Sequence, residues 1–297
     1  MPRSSGPLSA PYIRLKTVAS TDLSSSSTGD ALISLVSISL QFLADSCSTV
    51  SLVSRVPGKQ YYSYALKTSL SAISRPVNKA LFEPSELIVR RYWTNPNKLT
   101  SNQLARLAYT MGTAYSVASD LFDRNNKKAP ATYFELFIGH IFAREFGQNP
   151  TKKATLPLRS GKKVKMTMDF IFDLGPRKAK VHLPVKASTR ERVVQAWAHQ
   201  RMLDAAYGEG VFRAILVVHS ETKLDLETHE VIEITVPDQW LAYQTLLAKM
   251  ERIYYLDVPD RYLRLSKLYP IIQLKQFGDF FLEKGKLLRE IKKFPSI

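Results

Sequence analysis

Cysteine is almost absent from this chain of 297 residues, and the lone Cys47 excludes an intramolecular disulfide framework and a cysteine-built zinc site. Histidine is scarce as well. The five, at 140, 182, 199, 219 and 229, include no pair at the spacing of an HExxH site, which argues against zinc. No glycine-rich phosphate loop occurs, since Gly208-Glu209-Gly210 lacks the further glycine and the lysine, so ATP dependence is not indicated. No apolar run reaches the roughly 18 residues that span a bilayer; the longest, about Ala31 to Ala44, has serines throughout. No membrane partner is expected. The first residues, Met1-Pro2-Arg3-Ser4-Ser5-Gly6, lead into no compact signal-peptide core, and the protein is read as cytoplasmic.

Negative charge is also in deficit. Against 42 Lys+Arg stand 26 Asp+Glu, and the resulting +16 favours a polyphosphate through charge steering and counterion release. With 45% hydrophobic residues the chain can bury a sizeable core, and it is expected to form one compact unit. Residues 1–30, with Ser24-Ser25-Ser26-Ser27, read as an irregular or flexible arm. A helical region is expected over 31–130, from apolar-periodic segments near 31–50, 61–75 and 100–123. Residues 131–236 read as a core of helix, strand hairpin, helix and two strands, and 237–297 as a closing helical region with helices near 237–252 and 278–293. That order implies an α/β fold with a mixed central β-sheet flanked by helices.

Chemistry concentrates inside the core. Lys165-Met166-Thr167-Met168-Asp169-Phe170-Ile171-Phe172 alternates and then turns apolar, as a strand entering a buried sheet does. After the turn at Gly175-Pro176, residues 179–186 form a second strand, so Asp169 and Lys186 are expected at the same end of a hairpin. A carboxylate and a lysine beside a phosphate suit metal-assisted phosphodiester hydrolysis: Asp169 as a hard oxygen ligand for Mg²⁺, Lys186 to orient water and offset charge. Glu135, in the apolar run Tyr133-Phe134-Glu135-Leu136-Phe137, is the best upstream candidate for a second metal-holding carboxylate. Each residue taken alone also fits a structural role.

Lys186 is followed by Ala187-Ser188-Thr189-Arg190-Glu191-Arg192, which opens a helical pattern. Ser188 and Glu191 have capping-box spacing. That leaves the arginines unexplained, because a cation in the first helical turn costs about 0.3–1 kcal/mol against the macrodipole. In a major groove, arginine is the bidentate partner of guanine and glutamate accepts from cytosine, so one Arg-Glu-Arg turn can read adjacent G·C pairs. Further upstream, Trp93 in Arg90-Arg91-Tyr92-Trp93 is a candidate for base stacking, with a packed aromatic as the commoner role.

Glu135, Asp169, Lys186 and the Arg190-Glu191-Arg192 turn together resemble the motif of PD-(D/E)XK type II restriction endonucleases that recognise CCGG or CCNGG sites. The resemblance covers roughly residues 133–204. It implies a restriction-endonuclease-like fold, Mg²⁺ as cofactor, double-stranded DNA as partner, a prokaryotic source, and a homodimer or tetramer on a palindromic site. By it, Asp169 and Lys186 are the catalytic pair, Glu135 the helical carboxylate, and Arg190, Glu191 and Arg192 the readers of C·G pairs. Pro184 stands where the motif usually has an acid two residues before the lysine, and Gln195 and His199 are the helix positions left to replace it. A structure-specific repair or recombination nuclease of the same superfamily, and a non-catalytic DNA-binding protein, are the alternatives.

Overall fold

A computed structural model describes residues 6–123, 125–126, 128–189 and 193–291. They group into two compact units. The first comprises residues 1–141 and 222–234, the second 142–221 and 235–297.

In the first unit, helices α1 (Ser9–Thr21), α2 (Ser26–Ser46), α3 (Glu86–Thr94) and α4 (Ser101–Asp123), with most of α5 (Lys128–Phe146), accompany strands β1 (Cys47–Ser51), β2 (Val53–Ser54), β3 (Tyr61–Leu66), β4 (Ser69–Ile73) and β5 (Val77–Asn78). Two corrections follow. The serine run expected to be irregular starts a helix, because Ser25 caps α2 by accepting from the Thr28 N–H at 3.2 Å. Residues 61–75 form a β-hairpin, not a helix: the ring-rich Tyr61-Tyr62-Ser63-Tyr64 fits a pleated, largely buried surface, and Lys67-Thr68 makes a two-residue connection. The serines of Ala31–Ala44 do not interrupt α2 either. At 21 residues it is long and apolar enough to cross a membrane by length and composition, and here its Leu32, Leu35, Val36 and Leu40 are buried in the core.

Strands β11 (Thr222–Leu224) and β12 (Glu230–Glu233) return to this unit, where β12 pairs in parallel with β2.

The second unit is built on one mixed sheet in the order β14-β13-β10-β8-β7-β6, with β9 also paired to β10. Its strands are β6 (Thr151–Pro157), β7 (Lys163–Phe172), β8 (Lys180–Leu183), β9 (Val185–Lys186), β10 (Phe212–Val218), β13 (Met250–Tyr255) and β14 (Leu274–Gln276). From β8 to β14 neighbours run parallel, while β7 is antiparallel to β6 and β8. Helix α6 (Val193–Tyr207) crosses this sheet, burying Trp197 with β10 and β13 at one end and Leu203 with β6 and β7 at the other. It stops at Gly208, whose φ of +94° only glycine adopts freely and whose N–H closes on the Asp204 carbonyl.

The helix expected over 237–252 is shorter. Helix α7 (Pro237–Ala242) gives way to a π-helical turn, Tyr243–Leu247, and then to β13. Gln244 explains the change: its amide donates to the Met250 and Ile271 carbonyls, and its oxygen accepts from the Met250 N–H and the Trp197 indole, all at 3.0–3.1 Å. A helix continuing through Met250 would forfeit those bonds and expose a residue that is fully buried. Helices α8 (Asp260–Leu268) and α9 (Gly278–Ile291) complete the unit.

Glu283 of α9 ties that helix to the sheet. It accepts from Arg252 Nε at 3.1 Å, from the Tyr254 hydroxyl at 2.5 Å and from Lys275. Burial opposes its ionisation, but the Lys275 and Tyr254 hydrogen bonds and the Arg252 charge outweigh that and hold its carboxyl below the usual range. A lowered folded pKa stabilises above the unfolded value and is lost as pH falls through the folded one. Glu283→Gln is therefore expected to cost about 1.5–3 kcal/mol at pH 7, the range for hydrogen bonds to a charged group, and much less near pH 3. Denaturant unfolding at the two pH values checks this; an equal loss at both would contradict it.

Candidate active site

The site grows out of one interruption. Strand β8 pairs with β7 as far as Leu183 opposite Phe170, and the ladder stops there because Pro184 has no N–H to donate. Past the proline the chain resumes as β9 against β10, with Val185 opposite Val217. The Val185 N–H, freed from the β7 ladder, donates to Asp169 Oδ2 at 2.8 Å. Lys186 Nζ donates to the same oxygen at 2.8 Å. Asp169 and Lys186 thus meet as the hairpin predicts, with side chains 21% and 18% exposed, sheltered but open to a ligand. Among the described residues both donors use Asp169 Oδ2 and none reaches Oδ1.

A polar network stands behind the pair. His182 on β8 is buried, and burial pushes its imidazole down to about 4, with the neighbouring His199 and Lys186 charges acting the same way and Gln200 and Asp169 opposing. Its Nδ1 lies 3.1 Å from Gln200 Oε1. The Gln200 amide donates to Asp204 and to the Phe212 carbonyl, both at 2.9 Å, so its oxygen accepts and His182 carries the proton on Nδ1. His199, one residue before Gln200 on α6, is half-buried; burial and the Lys186 charge lower its pKa while Asp169 raises it. Its ring centroid is 6.3 Å from that of His182.

Beyond Lys186 the backbone keeps its pairing with the end of β10: the His219 N–H donates to the Lys186 carbonyl at 3.0 Å and the Ser220 N–H to that of Ala187 at 3.3 Å. Glu221, wholly buried, then accepts from the Thr189 N–H at 3.0 and 3.2 Å, from the Thr189 hydroxyl at 2.6 Å and from the Tyr255 hydroxyl at 2.7 Å. Thr189 is the last described residue before the Arg190-Glu191-Arg192 turn, which itself lies outside the described residues.

The other expected residues fall as follows. Gln195 is exposed on α6. Glu135 is half-buried on α5 in the first unit, where its charge helps raise the Tyr12 hydroxyl pKa. Trp93 is half-buried on α3 with its ring stacked toward His140, centroids 6.4 Å apart. Sequence reasoning missed Glu221 and the place of His182. Glu221 follows the apolar run of β10 as any loop acid would, and no local pattern announces that three donors converge on it. Among the described residues no group of three or more His, Cys, Asp or Glu side chains is arranged to hold a metal.

No protein-family model and no curated protein matches the chain. Among solved structures, the type IIP restriction endonuclease Kpn2I is similar over 96% of this chain and 98% of its own, with a TM-score of 0.78 at 23% identity. The restriction endonuclease PspGI, in a complex with substrate DNA, aligns over 69% of this chain and 92% of its own with a TM-score of 0.45 at 14% identity. The fold is that of a restriction endonuclease, with its central mixed sheet and flanking helices, as the sequence led us to expect.

His182 supplies a check on the described geometry. Its folded pKa lies below the unfolded one near 6.5, so its contribution to stability is complete above that value and declines as pH falls from there toward 4. The His182 ring resonances are expected to hold their neutral positions from pH 8 down to pH 5 in an NMR titration. A midpoint above 5.5 would show that the ring is not buried as described.

Proposed function

We propose that the protein is a type II restriction endonuclease that cuts both strands of duplex DNA by Mg²⁺-dependent hydrolysis, leaving 5′-phosphate and 3′-hydroxyl ends. The observation that carries the reading is Lys186 Nζ bonded to Asp169 Oδ2 at 2.8 Å on adjoining strands of a sheet that has this fold.

The donor set suits a hard cation that takes few protein ligands. Mg²⁺ is commonly held by one or two carboxylates, with water and substrate phosphate filling the rest, and Asp169 offers Oδ1 for it. Of the two helix positions, Gln195 is exposed, whereas half-buried His199 lies within electrostatic reach of Asp169 and Lys186 and would act on the ion through a bound water, since Mg²⁺ takes oxygen ligands. Bound there, Mg²⁺ supplies charge neutralisation at the scissile phosphate and a more acidic water. Lys186 keeps two N–H bonds beyond the one to Asp169; they orient the attacking water and a phosphate oxygen and offset the charge that builds in the transition state. Asp169 fixes where that ammonium points. His182, neutral and turned to Gln200, holds the strand in place and exchanges no proton.

Recognition falls to Arg190, Glu191 and Arg192, with a half-site containing CC/GG: two guanidinium groups for guanines and a carboxylate for a cytosine amine. Glu221 supports this by fixing Thr189 one residue ahead. A palindromic site calls for twofold symmetry, hence at least a homodimer with one half-site per subunit. Glu135 keeps the role of upstream carboxylate by resemblance alone, and Glu135→Ala in the cleavage assay tests it.

Digestion of duplex DNA with Mg²⁺, followed by mapping of the fragment ends, is expected to return one palindromic site with CC/GG half-sites. Asp169→Ala abolishes cutting and leaves binding largely intact, whereas substantial residual cleavage would remove this aspartate from the mechanism. Arg190→Ala and Arg192→Ala are each expected to lose about 1–3 kcal/mol of base discrimination. Unchanged site preference in both variants would defeat the recognition assignment.

A further inference from the structure

The most one-sidedly charged surface in the second unit is the ribbon formed by β6 and β7. From Phe146 to Met168 the chain has no Asp or Glu, and it carries Lys152, Lys153, Arg159, Lys162, Lys163 and Lys165. Antiparallel register sorts the ribbon's two faces. Lys153 lies opposite Thr167, Thr155 opposite Lys165 and Pro157 opposite Lys163, and all six are exposed. The alternate residues Ala154, Leu156, Met166 and Met168 pack with Leu203 and its neighbours on α6. One face is therefore apolar and committed to the core, and the other presents three lysines and two threonine hydroxyls. Arg159 and Lys162 continue the charge around the exposed turn, where Gly161 takes φ +80°. None of Lys153, Arg159, Lys162, Lys163 or Lys165 has a carboxylate partner among the described residues.

We propose that this face is a clamp for the phosphate backbone of duplex DNA flanking the cut site, an inference that rests on the nuclease reading above. Sheet-edge protection accounts for lysines on β6, the edge strand. It gives no reason for Lys163 and Lys165, which are on the inner strand, or for cations in the turn. Like charges held this close repel one another unless a polyanion covers them, and exposed threonine hydroxyls alternating with lysines match phosphate oxygens, which accept from both. The row also leads to the chemistry. Lys165 and Lys163 precede Asp169 on the same strand by four and six residues, or about 13 and 20 Å at ~3.3 Å per residue. At ~3.4 Å per base pair this reaches phosphates about four to six base pairs from the one that Asp169 serves.

The test is the triple variant Lys153→Gln/Lys163→Gln/Lys165→Gln in the full chain, with the corresponding Lys→Arg triple as the charge-retaining control. Binding to uncut duplex is measured without divalent ions over a range of NaCl concentrations. Each lost phosphate contact lowers the slope of log K against log salt by about 0.9, so the Gln triple is expected to lose about 2.7 while the Arg triple keeps the wild-type slope. Preference for the mapped site over a one-base variant stays within about twofold, because phosphate contacts carry no sequence. Trimming the flanks to about three base pairs removes the share of Lys163 and Lys165 and leaves at most that of Lys153, which lies opposite Thr167 and nearest to Asp169. An unchanged slope in the Gln triple overturns the proposal, including when that variant aggregates, which marks edge protection as the lysines' role. So does an equal loss of slope in the Arg triple, or a difference undiminished on trimmed flanks. If wild type neither binds nor cuts duplex DNA, the nuclease reading has failed; if it does both and the variants match it, only the clamp has.

Discussion

An ammonium and a carboxylate sharing one hydrogen bond, between strands that a proline has just pulled out of register, organise the second unit. A proline inside a sheet normally weakens it by withholding a donor. Here the break after Leu183 redirects the chain from β7 toward β10 and turns a backbone N–H onto Asp169. The same oxygen receives Lys186, so main chain and side chain fix one carboxylate from two directions. Half-burial matters as much as contact. Removing one partner of a sheltered pair leaves the other poorly solvated, which is why neither residue reads as an incidental surface charge. The proline that ends the β7–β8 ladder is also what creates this geometry.

The elements around the pair arise from ordinary packing. Helix α6 crosses the sheet because its Trp197 and Leu203 sides meet different apolar clusters, and that brings His199 and Gln200 to His182 on β8, just ahead of Lys186 on β9. Gln244 locks Trp197 through its indole, so an irregular helical turn remote in sequence helps to set the tilt of the helix behind the site. Buried polar groups of this kind are tolerated because every one of their bonds is made.

Much of this was legible in advance where local pattern and tertiary demand agree. Alternation followed by a wholly apolar stretch marked the strand of Asp169, and the Gly175-Pro176 turn gave the hairpin that brings Lys186 back to it. The helix stop at Gly208 was visible for the same reason, since only glycine adopts its backbone angle cheaply. Errors occurred where a distant partner decides. Tyr61 to Ile73 has helical spacing of apolar residues yet forms a hairpin, because rings packed on both sides of a sheet outweigh periodicity. The helix expected over 237–252 runs on into Met250 to Arg252, because the buried position for a strand beside β10 leaves no trace in that segment. Glu221 was invisible on principle: its three donors come from 32 and 34 residues away.

The buried acid Glu221 also fixes the point at which the chain leaves the sheet, at Thr189. Glu221 holds Thr189 by its backbone N–H and its hydroxyl, and is itself held by the Tyr255 hydroxyl of β13. Losing either hydroxyl would leave a fully buried carboxylate short of a donor, a cost borne by the interior and not by any exposed surface.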